Sequence, residues 1–216
     1  MILAIPDPDI KEADFFHLRK EIEQTIICAD KLSFHIFFIK SLRVGFESEE
    51  RGFENFLNSF RNIYPVNYEL SDKIKFSGVE LFFTRDPMFP LDPGIDVLSF
   101  IANSIETRKS GFFSIYLERS PIKFGNFKRY MVRRELQKKK LTVSERKIAD
   151  AVIKKLSMPL FRVRIFTDNP PVLRVSRDLL TGQGLDVKGK RIYMSPLEIS
   201  YFIHYPMSNR ERRRPW

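Results

Sequence analysis

The sequence predicts an α+β protein in which antiparallel sheets carry their helices on one face. Three observations predict it. Strand-length segments rich in Phe and Ile alternate with amphipathic helical stretches. The first two strands follow each other as a hairpin would. A hydrophobic content of 43% with 21 Phe supplies a sizeable core. Two rounds of strands and helices on either side of a proline-rich break also fit a duplicated ferredoxin-like arrangement. The expected segments are 1–31, an N-terminal helix; 32–90 and 91–167, two α+β halves; and 168–216, loop-rich with a short helix and a basic tail.

Asp9 to Ile27 reads as a helix capped by Asp9, with Phe15, Leu18, Ile22 and Ile26 on one stripe. Leu32–Ser41 and Arg43–Glu47 form the hairpin. Ser48 is placed to cap the next helix, whose apolar face is Phe53, Phe56, Leu57 and Phe60, and Tyr64-Pro65 ends it. Val66–Leu70 and Lys73–Thr84 are strands. The break Asp86-Pro-Met-Phe-Pro-Leu-Asp-Pro-Gly94 follows. Asp96–Glu106 is then helical with Val97, Phe100, Ile101 and Ile105 inward, Gly111–Glu118 is a strand, and Phe127–Lys139 and Thr142–Leu156 are charged helices. Thr142-Val-Ser-Glu145 has the form of a capping box, and so has Ser195-Pro-Leu-Glu198 at the last helix. Leu160–Thr167 and Arg191–Met194 complete the strands.

Charge is distributed unevenly. Residues 119–164 hold fifteen Lys or Arg and three acids, a net of +12, while residues 1–118 hold 13 basic and 19 acidic side chains. Such an axis attracts phosphate polymers or an acidic protein to one side of the molecule. Lys128, Arg129, Arg133, Arg134, Lys138, Lys139 and Lys140 could track a phosphate backbone, with Phe127 and Tyr130 interleaved as stacking groups. The alternative is a solvated face with Tyr130, Val132 and Leu136 turned to the core. Arg212, Arg213, Arg214 and Trp216 place interface-prone side chains on the C-terminal end.

No residue pattern sets up catalysis, a metal site or a cofactor site. Gly184-Leu-Asp-Val-Lys-Gly189-Lys190-Arg191 imitates a phosphate-binding loop, but Arg191 stands where the magnesium-binding hydroxyl is needed and an extended segment follows in place of a helix. His17, His35 and His204 share no ligand spacing. Asp86, Asp92 and Asp96 serve turns and caps as well as they would a cation, and a lone Cys28 excludes an internal disulfide. Asp72, Lys73, Lys75 and Glu80 fit a nuclease centre poorly, since Glu80 has no second acid beside it. No apolar run approaches the roughly 20 residues of a membrane span, and Met1–Pro6 lacks the features of a signal peptide. Three Gln against 37 Lys and Arg lean toward a thermophilic source.

Several pieces, taken in order, carry a resemblance. They are the hairpin Leu32-Ser-Phe-His-Ile-Phe-Phe, the helix end Tyr64-Pro65, Phe89-Pro90-Leu91, and Asp92-Pro-Gly-Ile-Asp96. A basic helical pair, then a strand Pro159-Leu-Phe-Arg-Val-Arg-Ile165, and last Met194-Ser-Pro-Leu-Glu198 running on to His204-Tyr-Pro206 follow. From about Ala29 to Pro206 the chain resembles the domain ahead of the motor in conjugation-type transfer ATPases of the HerA–FtsK superfamily. The motor itself has no counterpart in the ten residues after Pro206. The resemblance implies a non-enzymatic adaptor of a DNA-delivering assembly, in an archaeal virus or plasmid. Its implied location is a virion or the cytoplasm. Its implied partners are further copies of itself in a ring, other structural proteins of the assembly, and DNA. A sequence-indifferent DNA-binding accessory protein is the alternative.

Overall fold

Antiparallel alternation builds the molecule. In β2 (Lys31–Ile39), Leu32, Phe34 and Ile36 join the main core, while His35 and Phe37 belong to the opposite face. The computed structural model describes residues 1–6, 15–50, 52–64, 66–91, 97–121, 126, 128–130, 132–134, 142–168 and 183–204. Among them the strands are β1 (Ile2–Pro6), β2, β3 (Ser41–Glu47), β4 (Val66–Leu70), β5 (Val79–Phe83), β6 (Phe112–Arg119), β7 (Phe161–Thr167), β8 (Leu185–Asp186) and β9 (Ile192–Met194). All pair antiparallel in one sheet of order β4–β1–β3–β2–β6–β7–β5–β8, and β9 continues beside β7 where β5 leaves it. This is the α+β class that the sequence predicts. Segments 32–90 and 91–167 share this one sheet, since β2 pairs with β6 and β5 lies between β7 and β8.

The helices are α1 (Phe15–Ile27), α2 (Phe53–Ile63), α3 (Val97–Arg108), α4 (helical at residues 126, 128–130 and 132–134), α5 (Val143–Leu156) and α6 (Pro196–Ile199). Ile22 and Ile26 of α1, Phe56 and Phe60 of α2, and Leu98, Ile101 and Ile105 of α3 pack on the same sheet face as Phe34, Phe46, Phe113 and Ile165. Val132 of α4 and Val152 and Leu156 of α5 form a smaller cluster with Leu160, Met88 and Phe89. Both expected capping boxes are present, at Thr142/Glu145 and Ser195/Glu198. The Asp9 cap and Asp92 and Asp96 lie outside the described residues.

Four local expectations are corrected. Ser48 caps no helix: its hydroxyl donates to the Lys31 carbonyl at 2.8 Å and accepts from the Glu50 N–H, and α2 starts after Gly52. Phe100 is 44% exposed, because the buried stripe of α3 runs through residues 97, 98, 101, 102 and 105. Ile2–Pro6, given no structural role from sequence, is a strand paired on both edges. The strand expected over Lys73–Thr84 narrows to Val79–Phe83.

The reason for the last is topological. Five strands separate β4 from β5 in the sheet, about 29 Å at strand spacing, and the nine steps from Leu70 to Val79 span about 30 Å when extended. Residues 71–78 therefore cross the sheet as an almost taut strap on the face away from the helices. Lys73 meets Glu47 at 3.7 Å, Phe76 stacks on His35 at 4.9 Å and touches Phe37 and Phe112. A Cβ on Gly78 would lie 2.6 Å from both the Phe112 ring and the Thr167 carbonyl oxygen, so only glycine permits this seat. Beneath the strap the His35 Nδ1 and Ser114 Oγ are 2.9 Å apart, and burial lowers the His35 pKa to about 4.

The proline-rich stretch is tied inward. Lys155 of α5 reaches Glu198 of α6 at 2.9 Å, both side chains being 2% exposed. Lys155 also donates to the Phe89 carbonyl, and Glu198 Oε1 accepts the Leu91 N–H at 2.7 Å. Buried Gln183 adds donors to the carbonyls of Asp86 and Phe89 and accepts from the Arg85 N–H. These bonds match the Arg85 and Leu91 N–H groups and the Asp86 and Phe89 carbonyls.

Candidate nucleic-acid interface

β7 explains why one surface is basic. The alternation Phe161-Arg-Val-Arg-Ile-Phe-Thr167 sends Phe161, Val163 and Ile165 into the core and leaves Arg162, Arg164 and Phe166 on the face without helices. The antiparallel register places Tyr116 opposite Arg164, Glu118 opposite Arg162 on β6, and Tyr193 of β9 opposite Arg162 on the other side. The strap covers this face over β2 and the start of β6. Arg162 and Arg164 remain exposed beyond it, with Tyr193 half-buried beside Arg162.

Arg164 is the most organised of these side chains. Its Nε and one terminal nitrogen donate to the two oxygens of Glu80, at 2.8 and 3.2 Å, in a bidentate pair. Its guanidinium carbon sits 4.9 Å from the centre of the Phe166 ring, and that ring meets Tyr116 edge-on at 5.6 Å. The Glu80 hydrogen bond raises the Arg164 pKa further. The cleft beside it is about 360 Å³ and includes Arg162 and Arg191, both exposed and without an ion pair among the described residues.

Of the residues singled out from sequence, Arg133 and Arg134 are exposed on α4. Tyr130, one turn earlier on the helix, is 62% exposed, so it is not on the core side. Val132 is the residue that packs inward. Lys128 lines a cleft of about 220 Å³ with Tyr193, Asp86 and Leu160, which joins α4 to that sheet face. Arg129 is committed internally: its Nε donates to the Leu156 carbonyl at the end of α5. Lys138, Lys139, Lys140, Arg212, Arg213, Arg214 and Trp216 lie outside the described residues.

Other basic residues of the 119–164 segment are also spent inside the fold. Arg119 pairs with Asp30 at 2.9 Å and donates to the Ile27 carbonyl, and Lys155 is the buried partner of Glu198. Arg162, Arg164, Arg191 and Tyr193 were missed as site residues because the sequence reading weighed charge on helices. The alternation in β7 was the signal that could have found the first two. A wider cleft of about 980 Å³ adjoins this face, and Glu47, Glu49, Glu50 and Glu118 line it together with Lys31 and Lys73. Glu47 pairs with Lys73 and Glu50 with Lys31, so among the described residues Glu49 and Glu118 are the acids of this cleft without an ion pair, with Glu118 facing Arg162 of β7 from the β6 side.

The remaining candidates have structural partners. Lys190 exchanges both backbone hydrogen bonds with Phe83 at 2.8 Å, so the Gly184–Arg191 stretch is strand-like where a phosphate loop would lead into a helix. Glu80 is held by Arg164 and Lys73 by Glu47. Among the described residues no three His, Cys, Asp or Glu side chains converge as metal ligands, and no helix is long and apolar enough to cross a membrane. No family model, curated protein or solved structure matches the chain.

Proposed function

We propose that the protein is a non-enzymatic adaptor that binds nucleic acid without reading its sequence. The observation that carries this is the surface formed by α4 and the strands β7 and β9. There Arg133, Arg134, Arg162 and Arg191 are exposed beside Tyr130 and Tyr193, with Lys128 between the two parts. Cations of this kind bind phosphates by counterion release and carry no base specificity of their own. The setting we infer is a DNA-delivering assembly of a mobile element, a virion end structure or a transfer channel. It rests on the resemblance set out above.

The test is retention of labelled DNA of unrelated sequences across a salt series. Affinity should be indifferent to sequence and should fall by about 0.9 in log K per tenfold change in salt for each phosphate engaged. Replacing Arg133, Arg134, Arg162 and Arg191 with Ala should flatten that slope and leave the melting temperature in place. Absence of retention at about 50 mM salt would overturn the reading.

Self-association is a second reading, favoured by Glu49 and Glu118, without an ion pair among the described residues, on the β6 side of the basic strand β7. Acids beside a basic face are self-complementary about a two-fold axis, because each patch can meet the other on a neighbouring copy. Native mass spectrometry at low and high salt would test it, with a strict monomer at low salt counting against it.

A further inference from the structure

The arrangement of Glu80, Arg164 and Phe166 is more specific than a positive charge requires. A cation that merely neutralises phosphate needs no orientation. Here the guanidinium is fixed by two hydrogen bonds to one carboxylate, at 2.8 and 3.2 Å, and rests over an aromatic ring at 4.9 Å. The ring is itself braced edge-on by Tyr116. A planar cation held this way sits over Phe166 on one side, and the side chain remains 53% exposed. Its other face is a flat, apolar-tolerant surface of the kind on which a nucleobase stacks.

From this geometry we propose that Arg164 is a stacking platform for an unpaired base, and that this face takes single-stranded nucleic acid in preference to duplex. This rests on the nucleic-acid reading above and names its substrate class. A base inside a duplex has both faces covered by its neighbours, so it cannot use the platform. A single strand can turn one base onto it. Arg162, two residues along β7 on the same face and about 6.6 Å away by strand geometry, is placed to hold the adjoining phosphate. Arg191 lines the same cleft. Glu118, opposite Arg162, and Glu49 of the neighbouring cleft, neither of them ion-paired among the described residues, form a repelling rim that confines the strand to the β7–β9 side.

The test uses fluorescence anisotropy with the full chain, a labelled 12-nucleotide oligothymidylate and a 12-base-pair duplex, at one salt concentration. The single strand should bind more tightly than the duplex. Arg164→Lys keeps the charge and removes the plane. It should weaken oligothymidylate binding about 5- to 150-fold, the value of one lost base stack, while duplex binding and the salt slope stay as in the wild type. Phe166→Leu keeps an apolar residue beneath the guanidinium and should weaken the same binding without unfolding the protein. Glu80→Gln separates the platform from simple electrostatics: loss of a negative charge alone would tighten binding, whereas release of the platform loosens it. Equal binding of strand and duplex, or an Arg164→Lys variant that binds oligothymidylate like the wild type, overturns the proposal and leaves the nucleic-acid reading standing. Failure to bind either probe overturns both.

Discussion

Replacing Lys155 with Met probes the buried pair that anchors Phe89 and Leu91 of the proline-rich stretch. Methionine matches the length of the lysine stem, so the perturbation is chiefly the loss of the ammonium group. Two hydrogen bonds disappear, to Glu198 at 2.9 Å and to the Phe89 carbonyl at 3.2 Å. The Glu198 carboxylate keeps its bonds from the Leu91 N–H, the Ser195 N–H and the Ser195 hydroxyl but loses its counter-charge at 2% exposure. Removing one member of a buried pair costs about 3–5 kcal/mol. For a chain of this size that lowers the melting temperature by on the order of 10 °C. Adding Glu198→Gln, which removes the stranded charge, should recover part of the loss, so the double variant is more stable than the sum of the singles.

The same pair has a pH signature. Burial pushes the Lys155 pKa down despite the pull of Glu198 and Asp86. The unfolded chain therefore holds the proton more tightly than the native one. Between the lowered native value and the ordinary lysine value of about 10.5, wild-type stability rises with pH through this group. Lys155→Met lacks that contribution. Calorimetric melts of both proteins at several alkaline pH values check both points. A Lys155→Met protein within about 1 kcal/mol of wild type at neutral pH would refute the claim that this pair holds the Phe89–Leu91 stretch down.

Two further outcomes follow from the strap. Gly78→Ala should destabilise by about 1–3 kcal/mol in chemical denaturation, because a Cβ cannot fit between the Phe112 ring and the Thr167 carbonyl without moving one of them; a neutral result would refute the close seating. His35, with its pKa lowered to about 4, is neutral in the native state over a range where the unfolded chain binds a proton. Stability should therefore fall as pH drops from about 6.5 to about 4, by at most about 3 kcal/mol, and His35→Phe should lack that slope.

Much of the fold was legible in the sequence because periodicity and capping are local. The apolar stripe of α2, the hairpin β2–β3 and both capping boxes were read at sight and are present. What escaped was long-range. Nothing local tells that Lys73–Gly78 leaves the sheet to cross behind it, or that Lys155 finds Glu198 forty-three residues later. The candidate site suffered most. Charge counted along the chain treats Arg119, Arg129, Lys155 and Arg162 alike, yet Asp30, the Leu156 carbonyl and Glu198 engage the first three, and Arg162 faces solvent with no ion pair among the described residues. Which cations remain for a ligand is decided by tertiary neighbours.

The strap also dictates an order of events during synthesis. β5 is made about eighty residues before β7 and about a hundred before β8, the two strands that flank it. Until then Leu81 and Phe83 have no sheet to complete, and the far end of the strap has nowhere to dock. The nascent chain must carry an unpaired, apolar strand through about a third to a half of its translation, the situation in which slow, non-local folding and association with other chains compete. Slowing translation downstream of β5 would lengthen that exposure, whereas the early ladder β1–β3–β2 would be indifferent to it.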